Sequence, residues 1–173
     1  APSFKKLSLE LGGKNPNVIF ADCDFEAMLR TTLQSSFANQ GQICLCGSRI
    51  LVERPIYDRF VAEFTERVRA LRVGLPSDPE TQVGAVVSAP HRDKILSYIA
   101  LAQEEGGRIE CGGHPVAVDG APYGYYMAPT VITGLPMSCR TNQEEIFGPV
   151  VTVMPFDSEE EALALANATK YGL

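Results

Sequence analysis

The sequence predicts an α/β fold, an open, mostly parallel sheet with helices on both faces. Three observations carry that prediction. Short apolar runs of strand length alternate with longer amphipathic runs from one end of the chain to the other. No internal repeat or low-complexity tract interrupts the alternation. The length of 173 residues fits one domain large enough to bury a real core.

The elements follow in order. "NVIFA" (Asn17 to Ala21) reads as a buried strand, and Asp22 and Asp24 then offer caps for a helix through "FEAMLRTTLQSSFANQ". "RILVE" (Arg49 to Glu53) is a second strand. Pro55 suits the first turn of the next helix, in which Ile56, Phe60, Phe64 and Val68 recur on one face. A loop punctuated by Gly and Pro follows, and Ser88 caps a third helix through "HRDKILSYIALAQEEGG". "RIEC" is a short strand. The turn-rich stretch after it reads as a loop or hairpin leading into a strand near Met127 to Ile132. "GPVVTVMPF" is another strand. "DSEEEALALANATKYG" closes with a helix, where Asp157 and Glu160 have capping-box spacing. In open parallel sheets, binding crevices lie outside the carboxyl ends of strands, which places function on the loops that follow strands.

Composition narrows the partners. An apolar fraction of 45% and a charged fraction of 21% are those of an ordinary globular protein. A net charge of −6 and a pI near 5.0 argue against nucleic acid or an anionic membrane surface as the main partner. No apolar run approaches the ~20 residues that cross a bilayer, and "APSFKKLSLELGG" lacks a signal peptide's apolar core. The five cysteines are odd in number and scattered, so no disulfide framework is expected, and a reducing, cytoplasmic compartment is. With two histidines and one C-x-C, which supplies half a zinc site at most, no metal is expected. Neither G-x-G-x-x-G nor G-x-x-x-x-G-K-[ST] occurs, so the chain has no recognisable phosphate-cradling loop of its own.

Three segments hold residues suited to chemistry. In "FANQGQICLCGSR", Cys44 follows a polar, Gly-containing stretch, where a thiol in a turn can be approached by substrate and main-chain N–H groups can stabilise an oxyanion. The competing reading makes Cys44 and Cys46 small core residues on one face of a strand starting at Ile43. Glu10 stands between Leu9 and Leu11 before Gly12-Gly13. A carboxylate in apolar surroundings has its pKa pushed upward, as a general base working near neutrality needs; the competing reading is an exposed strand-edge glutamate. "NQEEIFGPV" puts a carboxylate and an aromatic ring on a stiff turn, suited to ribose hydroxyls and a flat ring. The alternative there is a solvated acidic pair with Phe147 in the core. A nucleophile with a carboxylate base is the pair acyl-enzyme chemistry requires.

Together and in this order, "LELGGK" (Leu9 to Lys14), "FANQGQICLCGSR" and "EEIFGPV" resemble the glutamate, cysteine and cofactor-contact motifs of the aldehyde dehydrogenase superfamily. The resemblance runs from Leu7 to the closing "KYGL". It implies that Cys44 is the nucleophile, that Cys46 lines or supports the site, and that Glu10 is the general base. It further implies that Leu11 lies next to a nicotinamide, that Glu145 holds the ribose hydroxyls, and that Phe147 packs close to the ring. Lys94 aligns with a region that touches the cofactor in some members. The implied reaction oxidises a small-molecule aldehyde to an acid with NAD or NADP, through a thiohemiacetal and a thioester on cysteine. "SSFANQGQICLC", "PSDP" and "PFDSEEE" narrow the resemblance to a branch acting on muconic semialdehydes. Members of the family are roughly three times this length. Residues 1–173 are therefore expected to be the thiol-bearing catalytic domain, without the NAD-binding domain and the oligomerisation arm of a homo-oligomeric enzyme. A structural or subunit-contact fragment of such an enzyme, or a cysteine hydrolase pairing Cys44 with His91 or His114, are the alternatives.

Overall fold

The computed structural model describes residues 3–173, and the elements come in the expected alternation. β1 (Pro16–Ile19) is followed by α1 (Phe25–Phe37), β2 (Arg49–Glu53), α2 (Arg54–Arg69), α3 (Ala89–Glu104), β3 (Arg108–Cys111) and β4 (Thr130–Thr133). A single turn of helix, α4 (Arg140–Gln143), then precedes β5 (Val150–Phe156) and α5 (Glu159–Ala166). The strands form one five-stranded sheet in the order β1-β2-β5-β4-β3. The first four of these run parallel, and β3 pairs antiparallel with β4 at one edge.

Side chains alternate across a strand, and the core divides accordingly. Ile50, Val52, Val131, Val151 and Val153 face α1 and α2, meeting Leu29, Phe37, Phe60, Phe64 and Val68. On the other face, Ile132 and Val150 pack with Ile95, Ile99 and Ala102 of α3. Leu51, Met154 and Phe156 pack against α5 through Ala162 and Leu165. Helices therefore cover both faces, and β2 and β5 lie in the middle as near-continuous apolar runs.

Local chemistry refines several expectations. Asp24, and not Asp22, caps α1 by accepting from the Ala27 N–H at 3.1 Å. Ser88 caps α3 through the His91 N–H as expected. The capping box of α5 sits one residue later than its expected place: Ser158 accepts from the Glu161 N–H, and the Glu161 carboxylate reaches back to the Asp157 N–H at 2.7 Å. The strand expected near Met127 starts at Thr130, and Met127 makes only an isolated bridge with Pro115. α1 stops at Phe37 rather than Gln40. Asn39 and Gln40 turn into left-handed conformations (φ 49° and 58°) within a tight 3₁₀ turn at Ala38–Gly41.

Arg49, the first residue of β2, is fully buried and ties three segments together. Its Nε donates to Lys14 O at 2.9 Å, Nη1 to Leu165 O at 2.7 Å and Nη2 to Ala166 O at 2.8 Å. The last two are carbonyls at the C-terminal end of α5, where a cation is electrostatically favoured. Burial pulls the guanidinium down to about 10, so it remains charged at neutral pH. Replacing Arg49 by Met keeps the bulk but strands the Lys14 and Ala166 carbonyls and leaves Leu165 O to the Ala168 N–H alone, and we expect it to cost about 2–5 kcal/mol. The urea midpoint is the measurement; a loss under about 1 kcal/mol would mean that water replaces the guanidinium without penalty.

Candidate active site

The candidate residues gather at the amino ends of the strands, contrary to the carboxyl-end placement expected from the sequence. "LELGGKN" leads into β1, "QICLCGS" into β2 and "EEIFGP" into β5. β1 and β2 are parallel, as are β2 and β5, so the three segments must share one edge of the sheet. The opposite edge carries a cleft with Asp22, Glu53 and Glu159 on its wall, a poor seat for an anionic cofactor.

Cys44 sits at the corner of a turn closed by the Cys46 N–H donating to Ile43 O at 3.0 Å, and no strand begins at Ile43. The core-face reading therefore holds for Cys46 alone: Cys46 is buried and Cys44 is half-buried. Burial pushes the Cys46 thiol up, and Cys44 beside it adds to the effect. The turn is anchored on both sides. Ser36 Oγ donates to Gly47 O at 3.1 Å, the Gly47 N–H reaches Ser35 O, and Gln42 Oε1 accepts from the Val87 N–H.

Glu10 departs from its expected surroundings. It lies in an extended segment outside any strand, and its neighbours Leu9 and Leu11 are 68% and 77% exposed. The apolar enclosure expected from flanking leucines is absent because both side chains point outward. Glu10 nonetheless shares two clefts with Cys44. One, of about 560 Å³, includes Leu9, Leu11 and Tyr171; the other, of about 540 Å³, includes His91, Lys94, Glu145 and Phe147. All six candidate residues thus line the space around Cys44.

The two acids of "EEIFGPV" separate in role. Glu144 is taken by Arg140, with Nε at 2.9 Å, and by Tyr98; these partners hold its carboxyl down at about 2. Glu145 turns the other way and accepts the Gly13 N–H with Oε1 at 3.0 Å. Its Oε2 lies over Gly12, where φ is +79° and an added Cβ would approach to 2.4 Å. Lys94 Nζ donates to Glu145 O at 3.0 Å. Phe147 is 36% exposed with φ 61°, so it stands on the cleft wall rather than in the core. His91 Nε2 donates to Phe147 O at 2.5 Å with its ring edge-on to the phenyl group. That nitrogen is therefore committed to a carbonyl, and His114, bonded to Gly112 O, lines neither cleft. Among the described residues, no three His, Cys, Asp or Glu side chains gather as a metal site would need, and no helix is long and apolar enough to cross a membrane.

Sequence reasoning passed over Lys14 and Asn15. Asn15 Nδ2 donates to Cys44 O at 2.7 Å. Lys14 is buried beneath the glycine pair; desolvation first, and the Arg49 charge second, pull its ammonium down to about 7. The only sequence signal for either was adjacency to "ELGG".

Comparison with known proteins follows the same lines. The model of the aldehyde dehydrogenase family matches residues 1–173. The chain is 52% identical to the 2-aminomuconic semialdehyde dehydrogenase of Mus musculus, over 100% of this chain and 36% of that protein. It is 51% identical to the 2-aminomuconic 6-semialdehyde dehydrogenase of a Pseudomonas species, over 100% of this chain and 35% of that one. A crystal structure of Staphylococcus aureus betaine aldehyde dehydrogenase in complex with NAD+ superposes with a TM-score of 0.94 at 45% identity, covering 99% of this chain and 34% of the other. The chain thus spans about a third of the length of these relatives.

The buried Lys14 ammonium has a thermodynamic signature. An unfolded lysine titrates near 10.4, so between pH 7 and 10 the unfolded chain holds a proton that the folded one has released. Stability should rise with pH across that window, by up to ~1.4 kcal/mol per unit, and the burial penalty is at its full value below pH 7. Lys14→Met should remove this component. Urea midpoints of the two proteins at pH 7 and 9.5 test it; parallel shifts would show that Lys14 keeps its proton when buried.

Proposed function

The chain belongs to the aldehyde dehydrogenase family, and from that premise we propose that it forms the thiol-bearing part of an enzyme oxidising an aldehyde to a carboxylic acid with NAD. The observation that supports this most is the meeting of two clefts at Cys44 and Glu10, one of them walled by Glu145, Phe147 and Lys94. In this reading the Cys44 thiolate attacks the aldehyde carbonyl, and main-chain N–H groups of its turn face the developing oxyanion. Glu10 then takes a proton from the water that hydrolyses the cysteine thioester.

The residues present fit the nicotinamide end of the cofactor. Glu145 keeps Oε2 without a hydrogen-bond partner among the described residues, available to ribose hydroxyls, and the bare Gly12 leaves room for that carboxylate. Phe147 offers a partly exposed ring, Lys94 fixes the Glu145 main chain, and Leu11 lies on the adjoining wall. The cofactor, when bound, accepts the hydride; positioning is this chain's part. The proposal concerns this nicotinamide end alone. The relatives named for 2-aminomuconic semialdehydes support a muconic semialdehyde as substrate.

Limiting iodoacetamide near neutral pH, followed by mass spectrometric mapping, should modify Cys44 in preference to Cys23, Cys46, Cys111 and Cys139. Even labelling over the five would remove the nucleophile. Glu10→Gln, in the protein that carries this chain, should retain the first turnover of NADH formation while steady-state turnover falls ~10²-fold or more. An unchanged steady state, with deacylation limiting in the parent, would take Glu10 out of the mechanism.

A further inference from the structure

We propose that Asn15 is a positioning residue for Cys44, its side-chain amide holding the nucleophile's own carbonyl so that the turn keeps one backbone conformation. The inference rests on the reading of Cys44 as the nucleophile and adds a residue to which that reading gives no role.

Cys44 and Leu45 occupy the two corners of the turn closed by the Cys46 N–H and Ile43 O. Such a turn has one weak point, the peptide between its corners. Types I and II differ by a flip of that peptide, which moves the first corner's ψ from about −30° to about +120° and the second corner's φ from about −90° to about +80°. Among the described residues, the non-glycine positions with positive φ are Phe4, Asn39, Gln40 and Phe147, so neither corner has flipped. The atom that swings in such a flip is Cys44 O, and Asn15 Nδ2 holds it at 2.7 Å. Side-chain rotamers follow backbone dihedrals, so a fixed ψ at Cys44 also limits where the thiol points.

Three observations support the placing of Asn15 for this bond. Its Oδ1 is buried and has no hydrogen-bond partner, a state that costs roughly 1–3 kcal/mol. Turning the amide over would set that oxygen against Cys44 O, acceptor to acceptor, so the contact with Cys44 dictates the orientation. Gly13 makes the approach possible: an added Cβ would lie 2.8 Å from both Asn15 Oδ1 and Cys44 O. The main chain of Asn15 is pinned as well, because its carbonyl accepts from the Arg49 N–H at 3.1 Å. The amide therefore reaches Cys44 from a fixed strand end.

Two reactions of the same thiol separate positioning from mere integrity of the fold. Alkylation by iodoacetamide needs a thiolate but little alignment. Acetylation by 4-nitrophenyl acetate needs more: the sulfur–acyl bond forms as the aryl ester bond breaks, the oxyanion between them must be stabilised, and 4-nitrophenolate leaves. In the protein that carries this chain, Asn15→Ala should alkylate at Cys44 within about 3-fold of the parent, while its acetylation burst slows about 10-fold or more. Asn15→Asp, isosteric but with acceptors facing Cys44 O, should show the same loss at pH 8. Relative to the parent, it should recover as pH falls and the carboxyl regains a donor. An acetylation rate in Asn15→Ala within about 2-fold of the parent overturns the proposal. So does an equal fall in both reactions, or loss of the folded state in both variants, each of which assigns Asn15 to structure alone. A parent protein that does not alkylate preferentially at Cys44 overturns the nucleophile reading and this inference with it.

Discussion

The parallel pairing of β1, β2 and β5 is the constraint from which the candidate site follows. Pro16 pairs with Arg49, and Arg49 with Thr152, so the chain enters all three strands from the same edge. Whatever precedes each strand is brought together there without any further folding decision. The glutamate segment, the thiol turn and the "EEIFGP" turn are far apart in sequence, and each ends within a residue or two of a strand start. A shift of one residue in the register of β1 would turn its side chains to the opposite faces and carry Asn15 away from Cys44 O. Sheet register and site geometry are in this sense one property.

Two buried basic side chains lie at this edge, and the charge of one works against the charge of the other. Arg49 reaches the Lys14 carbonyl and the end of α5, and the Lys14 ammonium lies close enough for the Arg49 charge to help depress it. The arrangement is tolerable because their demands differ. The guanidinium spends its fork of donors on carbonyls and stays charged, whereas an amine with a pKa near neutrality can relieve its own burial by releasing a proton. Replacing either cation by the other would therefore not preserve the edge.

Much of this was legible in the sequence, for identifiable reasons. Strand patterns marked β2 and β3 to the residue, and Pro55 and Ser88 marked where α2 and α3 begin, although α3 ends at Glu104, short of the glycine pair expected to close it. The end of α1 was not legible: "SSFANQ" has no glycine until Gly41, yet Asn39 and Gln40 already adopt left-handed conformations. The three motifs lie in segments that the fold brings to one edge of the sheet, but at the amino ends of the strands, because the rule for carboxyl-end crevices takes no account of motifs that precede their strands. The surroundings of Glu10 were misread from its neighbours, since flanking leucines bury a carboxylate only if the chain folds over them. Lys14 and Asn15 carried no pattern, for their roles depend on Arg49 and Cys44, which are distant in sequence.

The paired cysteines show how small a structural difference separates an open thiol from a filler. Cys44 and Cys46 share one turn, and nothing in their composition distinguishes them. Cys46 turns inward, its sulfur 3.9 Å from Ala38 O, and burial raises its pKa further. A thiol so placed is mostly protonated near neutrality and has no face open to a substrate. Cys44, at the outer corner, opens on both clefts while its carbonyl is gripped from behind by Asn15. Which thiol of the pair is open is therefore set by its place in the turn, Cys44 at a corner and Cys46 at the closing residue. Gly12 and Gly13 are the residues whose bare Cα atoms let the Glu145 carboxylate and the Cys44 carbonyl come so near.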